Sequence, residues 1–432
     1  MEEDSDVELQ DEEDLFLLLL LRKRQNRRKP RKRRFWVRDI FLQRQIHGTF
    51  HTLFQELLQD RELFFRYHRM TPTRFEHLLS LVEDRITKQK TQFRKPISAR
   101  ERLSITLRFL ATGESQQSLS FSYRMGRSTI SKIVAETCDV IFECLKTEYL
   151  RAPATDVEWE CISEQFAEQW NFPHVIGAID GKHIRIECPK QSGTLYYNYK
   201  GFYSIVLLAV CDANYCFTLF DVGSYGSNND SGVLANSEMG NRFANEDFHL
   251  PKAKDLKGCK YKPLPYFLVG DEIFPLKSWL MRPFPGSNLS EEHKIYNYRH
   301  SRARRTIENA FGILAARWRI LLKPIRASVE HVERYVCACL ALHNYLRQTS
   351  NASYTPFGFV DTESIDGTIK PGEWRAHKAI GSFDPIRPIR GSRPRADCVK
   401  MRDSIKDYFY SPTGSVSWQI NYVRRTYKIT ED

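Results

Sequence analysis

The chain has 432 residues, with 65 Lys and Arg against 53 Asp and Glu, a formal net charge of +12 and 41% hydrophobic residues. With a mean hydropathy of −0.49, that balance excludes a polytopic membrane protein and a wholly disordered chain, and the length suits two or three domains. The basic excess points to a polyanionic partner, nucleic acid or an anionic membrane surface, without choosing between them.

The charge comes in blocks. Residues 1–14 hold nine acids and no base. Ten bases follow within residues 22–34: Arg22, Lys23, Arg24, Arg27, Arg28, Lys29, Arg31, Lys32, Arg33 and Arg34. These blocks nearly cancel, so residues 35–432 carry +11 by themselves. The basic run reads as a nuclear localisation signal, a DNA-phosphate arm, or both. Between the blocks lies an apolar run at 15–21. Acid precedes it and Arg22 follows it, the reverse of a secretory signal, and it is far short of the ~20 residues that span a bilayer. It reads as a short helix that packs on the body or on a partner. Ten cysteines without a CxxC pair lack zinc spacing and read as reduced core thiols of a nuclear or cytosolic protein.

Residues 35–150 read as helical. The expected helices are 35–58 and 72–86, the latter with Phe75, Leu78, Leu79, Leu81 and Val82 on its apolar face. A third starts at Ser98, with Leu103, Ile105, Leu107, Phe109 and Leu110 inward, and stops at Gly113. Residues 115–134 then read as helix, turn, helix, with Leu119 and Phe121 inward, Gly126 at the turn and Ser128 as cap. About 98–145 is therefore a candidate helix-turn-helix segment, in which Arg127, Ser128, Thr129, Ser131 and Lys132 would meet DNA. An ordinary helical hairpin fits the same pattern.

From about 170 the texture changes to strands. Residues 174–180 predict a buried strand ending in Asp180, and 181–187 a second strand paired with it. A hairpin is expected from 203–212 and 216–222, and a strand at 265–271 ends in Asp271. The stretch 236–264 reads as an irregular surface connection. Long helices are expected from about Glu291 to Leu321, carrying Glu308, and from Val329 to Arg347. Residues 151–350 thus form a mixed α+β domain, and 351–432, poor in apolar runs, read as a loosely packed tail.

Asp180 and Asp271 at strand ends and Glu308 on a helix can converge. Such a cluster needs a cation, and hard oxygen ligands favour Mg²⁺ or Mn²⁺, as a pair in a two-metal site. Taken singly, each strand-end Asp is equally a turn former. Arg299, Arg302, Arg304, Arg305, Arg317 and Arg319 surround Glu308. Of these, Arg304 and Arg305 are the candidates for contacting DNA, and Trp318 reads as core.

Residues 175–184 (VIGAIDGKHI), 267–275 (FLVGDEIFP) and 301–320 (SRARRTIENAFGILAARWRI) resemble the PIF/Harbinger transposases and their domesticated nuclease relatives. The resemblance is strong over about 150–350 and looser over 35–150. It implies a ribonuclease H-like core preceded by a helix-turn-helix region, with a catalytic triad on Asp180, Asp271 and Glu308. It also implies a further metal ligand at Asp230, in an Asp-Ser pair with Ser231. Two positions depart from the family pattern: Lys182 stands where Thr is usual and Asn229 where His is common. The implied activity is metal-dependent cleavage and strand transfer at terminal inverted repeats. The alternatives are a domesticated endonuclease that does not transpose and a non-catalytic DNA-binding or chromatin adaptor. The implied partners are terminal-repeat and target DNA, a separate Myb-like accessory protein and further copies of the chain, with no membrane. The implied location is the nucleus, with the cytoplasm also open.

Overall fold

The computed structural model describes residues 16, 37–89, 96–228, 230–364, 367–377, 384–385 and 394–428. The basic run 22–34 and all of the apolar run except Phe16 lie outside them.

Caps decide where the first long helices run. Helix α1 (Pro72–Ile86) starts where the Thr71 side chain accepts from the Arg74 amide, with Pro at the first position. Helix α2 (Ala99–Thr112) starts on Ser98, which accepts from the Glu101 amide, and ends on left-handed Gly113. Helix α3 (Gln116–Ser122) and helix α4 (Arg127–Tyr149) follow.

Four local expectations fail here. The expected helix over 35–58 is, from residue 37 on, a run of four short helices between Asp39 and Gln59, interrupted by extended Gly48. Leu81 is exposed, and so is Phe121 at 59%. Two residues of helix turn the chain about 200°, so Phe121 cannot share the inward face of Leu119. Ser128 does not cap α4; extended Gly126 does, without a side-chain bond.

Helix α5 (Asp156–Trp170) leads into the sheet. Strand β1 (Val175–Arg185) is one continuous strand, not two. Asp180 does not end it, because the antiparallel ladder with β2 (Ser204–Cys211) runs unbroken from Ala178↔Cys211 to Arg185↔Ser204. Strand β3 (Phe217–Tyr225) closes the expected hairpin. Its turn is tied by Asp212, whose Oδ1 accepts from the amides of Asn214 at 2.9 Å and Cys216 at 2.8 Å.

Helices α6 (Asp230–Asn236) and α7 (Glu238–Ala244) come next. The stretch 236–264 is no mere surface connection, since it buries Met239, Phe243, Phe248, Cys259 and Leu264. Strands β4 (Phe267–Val269) and β5 (Leu280–Met281) complete the order β3-β2-β1-β4-β5, the last two running parallel to β1.

Helix α8 (Glu291–Arg317) stops four residues before the expected end, and a 3₁₀ turn takes 319–322. Helix α9 (Val329–Thr349) packs along α4, so the helical region and the sheet share one apolar core.

The C-terminal region is not a loose tail. Asp384 and Pro385 pair with β1. Trp374 lies against α8 at Gly312, where a Cβ would fall 2.3 Å from the indole. The indole Nε1 donates to Asn309 Oδ1 at 2.9 Å. Helix α10 (Ala396–Tyr410) buries Met401, Ile405 and Phe409, and Phe409 meets Phe172 edge-on at 4.8 Å. These anchors are widely spaced, which is why no apolar run announces them.

All ten cysteines carry free thiols, although Cys161 and Cys188 are exposed rather than core. Among the described residues no helix is long and apolar enough to cross a membrane.

Truncating a fully buried aromatic typically costs about 3–5 kcal/mol. Phe409→Ala is therefore expected to lower stability by about that amount in urea unfolding. A change near zero would restore the loose-tail reading.

Candidate active site

The sheet register brings the first two acids together. Ala178 of β1 is level with Val269 of β4. Two residues on from that pair stand Asp180, still within β1, and Asp271, just past the end of β4 rather than at the end of a strand running to 271. Gly270 is required between β4 and Asp271, because a Cβ there would lie 2.8 Å from the Phe274 ring and 3.1 Å from Ile179 Cγ2.

Asp180 is only 4% exposed. Its Oδ1 accepts from the Gly181 amide at 2.9 Å and its Oδ2 from Lys182 Nζ at 2.7 Å. Asp271 Oδ1 accepts from the Ile273 amide at 3.0 Å. Burial, and then the charge of Asp180, raise the Asp271 carboxyl to about 6, against the pull of Arg304, the Ile273 amide and Lys182.

Glu308 approaches from α8, which lies on β1 with Ala303, Ile307, Ala310 and Phe311 buried. It is ion-paired with Arg304, one turn earlier on the same helix. Burial opposes the Arg304 charge, yet the carboxylates of Glu308, Asp180 and Asp271 outweigh it and hold the guanidinium above its usual pKa. One arginine therefore senses all three acids. The spacing of Arg304 and Glu308 is a legible i,i+4 pair. The Lys182 contact was legible only as a departure from a family pattern.

The other expected residues are placed as follows. Asp230 opens α6, but its side chain lies outside the described residues, as does Asn229. Arg305 is 8% exposed and its charge acts on Asp361 rather than facing solvent. Most of the basic field around Glu308 is spent inside the protein. Arg299 donates to Gly414 O and Gln419 Oε1, Arg302 to Glu363 and Asn171, and Arg317 to Tyr354 O. Trp318 is core. Arg127, Ser128 and Lys132 are exposed at the start of α4, with Thr129 and Ser131 partly so.

Among the described residues, no group of three His, Cys, Asp or Glu side chains is arranged to hold a metal ion. Lys182 is instead paired with Asp180, and Arg304 with Glu308.

The acidic trio stands on one mixed sheet and its crossing helix, with Asp180 buried and Asp271 and Glu308 partly exposed. Residues 179–344, which contain all three acids, match the family of DDE superfamily endonucleases. That superfamily is ribonuclease H-like, in keeping with the sheet found here. More narrowly, the chain is related to the nucleases derived from Harbinger transposases. It is 28% identical to the protein ALP1-like of Arabidopsis thaliana, over 66% of this chain and 71% of that one. It is 26% identical to HARBI1, a candidate nuclease of Homo sapiens, over 71% of this chain and 83% of that one. It is 28% identical to the Arabidopsis thaliana protein named antagonist of like heterochromatin protein 1, over 66% and 72%. No solved structure matches the chain.

Because the folded-state pKa of Asp271 is raised, its proton contributes stability below about pH 3.8 that is lost as pH rises through about 6. Asp271→Asn has no charge to bury. It is expected to exceed the wild type in stability at pH 8 in EDTA by about 1–2 kcal/mol, and to show little gain at pH 4. Urea unfolding at the two pH values checks this.

Proposed function

We propose that the protein is a divalent-cation-dependent DNA endonuclease of the Harbinger type, with cleavage and strand transfer at terminal inverted repeats as its full reaction. The observation that carries the reading is the convergence of Asp180, Asp271 and Glu308 on the single guanidinium of Arg304.

The donor set fits a hard divalent ion. The three carboxylates offer only oxygen, and the mutual repulsion that raises Asp271 is what a divalent charge relieves. Asp180 and Asp271 would hold Mg²⁺ or Mn²⁺, with Glu308 completing the set and Asp230 as a further ligand. When bound, such ions polarise a phosphate and ease the ionisation of water or of a 3′-hydroxyl. Lys182 and Arg304 must release their carboxylates to make room. Once released, Lys182 and Arg304 would be available to offset the charge of a bound phosphate. The exposed start of α4, with Arg127, Ser128, Thr129, Ser131 and Lys132, would hold DNA through phosphate and base-edge contacts. The basic run 22–34 suits nuclear entry. A Myb-like accessory protein and self-association belong to the same reading.

A second reading is an endonuclease that does not transpose, which the name of the HARBI1 relative favours. Strand-transfer assays with pre-cleaved repeat ends separate the two. A non-catalytic DNA adaptor would instead bind DNA without any metal-dependent cleavage.

Asp180→Ala, Asp271→Ala and Glu308→Ala are each expected to abolish Mg²⁺-dependent cleavage of candidate terminal-repeat DNA while binding persists. Cleavage at the wild-type rate by all three would sink the proposal. Lys182→Thr removes a cation from the metal position, so Mn²⁺ should bind about tenfold more tightly, about 1.4 kcal/mol. Electron paramagnetic resonance of free Mn²⁺ during titration reads this without recourse to activity.

A further inference from the structure

Away from the acids, a cleft of about 470 Å³ opens between the α2–α3 connection, the start of α4 and the strap 323–326. Its lining includes Gly113, Glu114, Gln117, Arg127, Lys323 and Arg326. Arg127, Lys323 and Arg326 are all exposed. Glu114 is the acid among the lining residues, and Arg108 neutralises it at 3.0 Å. The cleft therefore carries net positive charge at its mouth, while the rest of its lining is mixed, with Ser115, Gln116 and Gln117 beside apolar Phe109, Ile320, Pro324 and Ile325.

Its walls are fixed. Gly113 adopts φ +61°, and a Cβ there would lie 3.0 Å from Ile320 Cα, so the α2 end is pressed against the 3₁₀ turn. Lys323 Nζ donates to Thr112 O at 2.9 Å. On the other side, the strap is tied to the end of β1. The Ile325 amide donates to Arg185 O at 3.0 Å, and the Glu187 amide donates to Ile325 O at 3.1 Å. The same strand carries Asp180, six residues before Ile186, which is a path of about 20 Å. That length matches about six nucleotide steps of 3.4 Å.

We propose that this cleft is a second DNA contact, which grips the sugar–phosphate backbone of the strand that leaves the acidic site. The inference rests on the DNA-endonuclease reading and adds Lys323 and Arg326 as backbone-binding residues. Arg127 then has a neighbour across the cleft rather than serving α4 alone. The cleft accommodates one edge of a backbone, not a whole duplex, which suits contact from the side.

The test is fluorescence anisotropy with a labelled 30-base-pair duplex at several salt concentrations, in EDTA so that no cleavage intervenes. Each neutralised phosphate contributes about 0.9 to the slope of log affinity against log salt. Lys323→Gln/Arg326→Gln is expected to lower that slope by about 2 and to weaken binding about tenfold at 0.15 M salt. Lys323 also holds the Thr112 carbonyl, so Arg326→Gln alone is the fold-neutral variant, with an expected slope loss of about 1. Lys252→Gln/Lys257→Gln removes two exposed charges elsewhere and should leave the slope unchanged. A double cleft variant with the wild-type slope, or a loss equalled by the control, overturns the cleft and leaves the nuclease reading standing. A wild type that binds no DNA overturns both.

Discussion

Like charges held close together dominate this site. Asp180 lies on β1 and Asp271 just past the end of the parallel strand β4, and burial together with the charge of Asp180 makes Asp271 harder to ionise. A chain that buries such a pair must supply positive charge. Here it does so from two directions, Lys182 from the same strand and Arg304 from the crossing helix. The position of α8 follows from this constraint. The helix must press its small and apolar face onto β1 while presenting a cation and an acid one turn apart to the strand ends. The sheet order with β4 beside β1 is equally necessary, since any other neighbour would leave one aspartate alone.

The arginines show how a basic composition divides between structure and surface. Arg299, Arg302 and Arg317 reach backbone and side-chain oxygens inside the fold, and Arg317 lies over the ring of Phe359 at 4.0 Å. They are structural cations that tie α8 to later parts of the chain. Exposed charge that can meet a polyanion includes Arg127, Lys132, Lys323 and Arg326. A net charge of +12 says that such a partner is plausible. It does not say which of the cations face it.

The strands of the sheet were legible because apolar runs are a strong local signal, whereas Asp180, Asp271 and Glu308 stood out only through the resemblance of the segments that carry them. The continuity of β1 was not legible. Whether Asp180 ends a strand depends on whether β2 goes on pairing beyond it, and that partner lies more than twenty residues away. Phe121 misled because hydrophobicity was counted without the angle that two helical residues subtend. The region after 350 misled for another reason. Trp374, Met401, Ile405 and Phe409 are sparse anchors in polar sequence, and each finds its cover in distant elements such as Phe172 and Gly312. The pairing of Arg304 with Glu308 was open to reading from helical spacing, yet its reach to both aspartates is a tertiary fact.

The wrapping of α8 by the end of the chain has a bearing on synthesis. Gly312 receives Trp374, Arg299 is bound by Gly414 and Gln419, and Phe409 closes over Phe172. The helix that bears Glu308 thus waits for residues made about a hundred positions later before its outer face is covered. A nascent chain that has emerged only as far as the end of α9 holds all three acids but lacks the parts that clamp them in place. Because domains assemble as the chain emerges, the helix that bears Glu308 is among the last elements to be locked. A truncated translation product would carry Asp180, Asp271 and Glu308 without the final support of α8, so the acidic trio is held firm only once the end of the chain is in place.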